Sequence, residues 1–72
     1  MSEPLLADGF EKALIGIGQQ FNLELAVYDY NKCTQILMDR DGMTEEEAIE
    51  FMDYNVVGAY VGLHTPVFIN TL

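Results

Sequence analysis

The stretch Asp39-Arg40-Asp41-Gly42-Met43-Thr44-Glu45-Glu46-Glu47-Ala48-Ile49-Glu50-Phe51-Met52-Asp53 decides the fold, because it closes one helix, turns, and opens another. Gly42 stands where a helix ends in a left-handed residue. Thr44 followed three residues later by Glu47 is a capping box, in which each side chain satisfies a free amide belonging to the other. Glu45, Glu46 and Glu47 then fall in a first helical turn, where carboxylates suit the positive end of the dipole.

Working back from Gly42, Leu37, Ile36, Cys33 and Tyr30 form an apolar stripe with Met38 at its side, and Asp29 is placed to cap it. The spacing predicts a helix over 30–41. Working forward from Thr44, Ala48, Ile49, Met52 and Val56 make an inward stripe flanked by Phe51, which predicts a second helix over 45–55.

Residues 23–28 alternate, with Leu23, Leu25 and Val27 on one face and Glu24, Ala26 and Tyr28 on the other, as a strand requires. Residues 10–21 fit two patterns. Phe10, Ala13, Leu14, Ile17 and Phe21 make a helical stripe, whereas 13–17 alternate as a strand. Gly16 and Gly18 favour the strand, since each costs about 1 kcal/mol inside a helix and is at home at a strand end or bulge. A strand over 12–17 joined to 23–28 by residues 18–22 makes an antiparallel hairpin. Beyond the helices, Thr65-Pro66 leads into Val67-Phe68-Ile69, a third strand with proline at its edge. The expected fold is therefore α+β, in the order β-β-α-α-β, with the hairpin and third strand forming a sheet and two helices packed on one of its faces. Residues 1–9 read as a flexible N-terminal arm that docks Leu5 and Leu6, and 10–72 as a single small domain.

A chain of 72 residues buries only about 60% of the surface it exposes when unfolded, so the core is small and a partner or a second copy would support it. Half the residues are apolar, which argues for a folded globule despite a net charge of −9. Twelve acidic residues against Lys12, Lys32 and Arg40 repel nucleic acid and anionic membranes and attract basic surfaces. One cysteine, no signal-type leader and no apolar run near ~20 residues point to a cytoplasmic protein without a membrane span.

The chemistry is sparse. Cys33 lies in a core stripe and His64, the only histidine, in a turn, so a nucleophile-base pair has no local signature. An EF-hand reading fails in both registers. Gly42 at the loop glycine puts Leu37 and Ala48 at the end ligands, and Asp39 at the first ligand puts Met43 and Thr44 at the fifth and sixth positions. Gly16-Ile17-Gly18 lacks the third glycine, the helix and the lysine of a phosphate loop. No enzyme activity, cofactor or metal is expected. What remains is the acidic surface of Asp39, Asp41, Glu45, Glu46, Glu50 and Asp53, in which Asp39, Glu46, Glu50 and Asp53 recur at helical spacings. Tyr54, Tyr60 and Phe68 are candidate anchors for such a surface if exposed, although aromatic residues in these patterns more often belong to the core.

The blocks ALIGIG, AVYDYNKCTQILMDRDGMTEEEAIEFMDYNVVGAYVG and TPVFI resemble a group of short, acidic, functionally uncharacterised proteins of bacteriophage and bacterial genomes. The likeness spans roughly 13–69 and is most specific over 28–62 and Thr65-Pro66; Leu63-His64 depart from the acidic or polar residue expected there. The resemblance implies a context in which small phage-type proteins bind and redirect host machinery. The expected function is thus a non-catalytic interaction protein that inhibits or redirects a basic host protein, a nucleic-acid-handling or defence complex, by presenting spaced carboxylates as nucleic acid does. The alternatives are a homodimeric structural module and a small-molecule-binding protein.

Overall fold

The computed structural model describes residues 4–71. After a short 3-10 turn, Glu11–Ala13, the chain forms β1 (Leu14–Gln20) and β2 (Leu23–Asp29), then α1 (Tyr30–Asp41), α2 (Glu45–Phe51), a π-helical turn (Met52–Val57) and β3 (Val67–Ile69). The order β-β-α-α-β is the expected one. The sheet runs β1-β2-β3, with β1 and β2 antiparallel and β3 parallel to β2. The helices make the crossover that a parallel pair requires.

Several boundaries differ from the sequence expectation. The first strand occupies Leu14–Gln20 instead of 12–17, because residues 11–13 coil into the 3-10 turn and the strand runs on through Gln19 and Gln20. The connection is only Phe21-Asn22, with Gln20 opposite Leu23 and Phe21 in a left-handed conformation at φ 56°. A bulge at Ile15 shifts the register between Leu14 and Gly16. The second helix does not run unbroken over 45–55. It is α-helical to Phe51 and then widens into the π turn.

The local signals around the central stretch hold in detail. α1 spans 30–41, Asp29 accepts from the Lys32 amide at 3.2 Å, and Gly42 ends the helix at φ 69°. The Thr44 hydroxyl accepts from the Glu47 amide at 3.2 Å, and the Glu47 carboxylate accepts from the Thr44 amide at 2.9 Å.

The core lies where the helices cover the sheet, and Phe10, Ala13, Ala26, Tyr28, Cys33, Leu37, Ala48 and Met52 form it. β2 is the central strand, so its Ala26 and Tyr28 face the helices and are fully buried. Tyr28 stacks on Phe68 with ring centroids 5.4 Å apart, and its hydroxyl accepts from the Ala7 amide at 2.8 Å. Ile49, expected inward, is exposed, because α2 presents Ala48 and Met52 to the core and Phe51 packs on its flank.

Residues 4–9 are fastened to this core end as well. The Leu5 amide donates to the His64 carbonyl, and the Arg40 guanidinium donates to the Gly9 carbonyl at 2.9 Å while lying over the Phe10 ring. Leu5 and Leu6 remain largely exposed. The first three residues of the expected arm and Leu72 at the end of the expected domain lie outside the described residues. The hairpin extends away from the core, since β3 pairs only with Val27, Tyr28 and Asp29; the molecule measures 39 × 21 × 21 Å.

Candidate acidic interaction site

All six acidic residues singled out from the sequence are exposed, but they do not form one row. Asp39 belongs to α1, and the left-handed Gly42 breaks the helical path that would have carried its spacing on to Glu46. Its carboxylate accepts from the Gln35 amide group at 3.1 Å, beside Lys12 and Arg40. Asp41 is held in a two-pronged ion pair by Arg40, at 3.0 Å from both Nε and Nη2. That bond to Arg40 keeps the Asp41 carboxyl below its ordinary range. These two residues make a mixed-charge patch.

The α2 side is different. Glu45, Glu46 and Glu50 are exposed, and the ion pair found among the described residues is the one between Arg40 and Asp41. Asp53 accepts a 2.7 Å hydrogen bond from the Tyr30 hydroxyl and so marks where the acidic face meets the start of α1. The Tyr30 pKa is pushed up to about 12, first by burial and then by the bond to Asp53.

Past Phe51 the helical path continues as the π turn. A π turn inserts an extra residue into a helix and rotates everything after it, a device that recurs at functional sites. Met52 is buried here, and Tyr54, on the same helical face as Glu47 and Glu50, is 79% exposed. Tyr54 joins Met43, Glu47, Glu50, Phe51 and Asn55 around a shallow groove of about 420 Å³. An aromatic ring, a half-buried apolar floor and two carboxylates therefore meet on one face of α2. Of the other expected anchors, Tyr60 is exposed but outside this groove, and Phe68 is committed to its stack on Tyr28.

The remaining chemistry is dispersed. Cys33 is fully buried, and burial followed by the charge of Asp29 pushes its pKa up to about 11, which suppresses the thiolate. His64 lies on the turn before Thr65, with Nδ1 3.4 Å from the Glu24 carbonyl oxygen. Among the described residues no group of three or more His, Cys, Asp and Glu side chains could hold a metal ion. A second groove, of about 370 Å³, is lined by Leu5, Leu6, Phe10, Val56, Val61 and Phe68 with neighbouring small residues; neither groove includes His64. Among the described residues no helix is long and apolar enough to cross a membrane. Comparison with protein-family models, with curated proteins and with solved structures found no match.

Proposed function

We propose that this protein is a non-catalytic interaction module that docks a basic partner on the acidic face of α2, with Tyr54 as its apolar anchor. The observation that carries the reading is the exposed Tyr54 ring beside Glu47 and Glu50 over a floor of Met43 and Phe51. Carboxylates steer a basic partner and select against acidic ones, while affinity comes mainly from a few anchors, of which tyrosine is among the commonest. Glu45, Glu46 and Glu50 supply the steering charge, and Asp39 and Asp41 contribute less because Lys12 and Arg40 stand beside them. The resemblance to small phage-type proteins adds the context. The partner in this reading is a basic protein of a bacterial host, belonging to a nucleic-acid-handling or defence complex, and docking inhibits or redirects it.

Affinity capture from bacterial lysate tests this. The wild-type chain retains a basic protein at low salt and releases it at high salt. Glu46→Lys with Glu50→Lys abolishes retention, and Tyr54→Ala weakens it by about tenfold or more, equivalent to at least about 1.4 kcal/mol. All three side chains are exposed, so circular dichroism of the variants should match the wild type. Undiminished retention by both variants refutes the reading.

A further inference from the structure

We infer that two copies of this chain associate edge to edge along β1, merging their sheets into one six-stranded sheet. β1 is an outer strand that pairs with β2 on one side only. Among the described residues, the backbone bonds made outside helices and strands leave residues 15–20 untouched, so no described strand or loop bonds the polar groups directed away from β2. Free edges of this kind recruit another strand unless charge, proline or irregularity blunts them. Here Leu14–Gln20 contains neither charge nor proline, and the bulge at Ile15 leaves Gly16 to Gln20 in regular register.

The charge distribution selects a second copy as the occupant. In a chain of net charge −9, the ten residues 14–23 carry no charged side chain, so along this edge two copies can meet without setting carboxylate against carboxylate. Lys12 stands just before the strand, and Glu24 just past the Phe21-Asn22 turn. A two-fold antiparallel pairing, which is self-complementary, brings the Lys12 end of each copy to the Glu24 end of the other. Pairing over the regular segment Gly16 to Gln20 puts Gly18 on the axis and the half-exposed Ile17 of each copy one residue from it. Phe21, 94% exposed on a left-handed backbone unfavourable for its side chain, comes alongside the exposed Leu14 of the other copy. This surface lies on the hairpin, separate from the acidic face of α2, so dimerisation and partner docking do not compete.

Sedimentation of the purified chain from low-micromolar to near-millimolar concentration, together with amide hydrogen exchange, tests the inference. The wild type sediments at twice the chain mass at high concentration and dissociates on dilution. Those amides within 15–20 that point away from β2 exchange slowly in the dimer and rapidly in the dilute monomer, whereas those bonded to β2 change little. Ile17→Lys places two ammonium groups near the axis, abolishes the dimer, and keeps the wild-type circular dichroism; Glu46→Lys with Glu50→Lys leaves the dimer intact. A wild type that stays monomeric at near-millimolar concentration overturns the inference, whether its edge is then bare or taken by another protein's strand. So does a dimer indifferent to Ile17→Lys, or one without protection at 15–20. Should Ile17→Lys fail to fold, the dilution dependence of exchange in the wild type decides alone.

Discussion

Tyr30 connects the two ends of the helical layer, because it opens α1 while its hydroxyl donates to Asp53 in the π turn. Removing that bond with Tyr30→Phe is expected to cost about 1 kcal/mol at neutral pH, read as a lower urea midpoint. The alkaline limb carries a sharper signature. The folded pKa of Tyr30, about 12, lies above its ordinary value of 10.0, so the folded state holds this proton more tightly than the unfolded chain. Its contribution is fully present below pH 10 and is lost as pH rises towards 12. Cys33 behaves alike in a lower window, with its pKa raised from 9.0 to about 11 by burial and by Asp29. Wild-type stability should therefore begin to fall above pH 9 and keep falling to pH 12, whereas Tyr30→Phe loses only the upper part of that decline. Identical curves for the two proteins above pH 10 would remove Tyr30 from this account.

The π turn depends on a glycine that no helical pattern predicts. A β-carbon on Gly58 would lie 2.8 Å from the Asp53 carbonyl oxygen, a backbone atom that cannot swing aside. Gly58→Ala should therefore destabilise by about 1–3 kcal/mol, and because Tyr54 sits inside the same turn, partner retention should fall with it. The same substitution at Gly16 has open space around it and serves as the control in thermal unfolding. Unchanged melting of Gly58→Ala would mean that the turn relaxes without loss. This element also marks where the sequence stops being readable. α1 and the capping box were legible because each rests on contacts within a few residues, Asp29 with Lys32 and Thr44 with Glu47, and β3 because its β-branched and aromatic run follows Pro66, although its partner strand is some forty residues away. The hairpin turn was not, since Phe21 takes a left-handed conformation that usually calls for glycine or asparagine. Alternation placed Leu25 and Ala26 on opposite faces of β2, but only the position of the helices makes Ala26 the core residue. Of the candidate site, the exposure of the acids was legible from charge. The loss of Asp39 from the α2 row follows from the left-handed Gly42, and Arg40, which pairs with Asp41, is also held by tertiary contacts with the Gly9 carbonyl and the Phe10 ring that no local pattern announces.

At the scale of the whole molecule, two opposed consequences of salt separate the surface's function from its cost to stability. The sequence sets twelve carboxylates against three cationic side chains, and Glu45, Glu46 and Glu47 share the first turn of α2. Self-repulsion of this kind weakens the compact state, and salt screens it over a Debye length of about 10 Å at 0.1 M. Opposing this, the pair between Arg40 and Asp41 is attractive and weakens with salt, but exposed pairs contribute only about 0–1 kcal/mol. Repulsion among the unpaired acids outweighs one such pair, so the melting temperature, taken at a concentration where the chain is monomeric, should rise from low to physiological sodium chloride. For a domain of this size a gain of about 1 kcal/mol corresponds to roughly 4–8 °C. Retention of a basic partner should fall over the same salt range, because screening weakens attraction between the molecules as it relieves repulsion within one. Glu46→Lys with Glu50→Lys should flatten both responses together, since one group of carboxylates causes both. A melting temperature that falls with salt, or a variant that flattens only one response, would separate the charge that burdens the fold from the charge that recruits the partner.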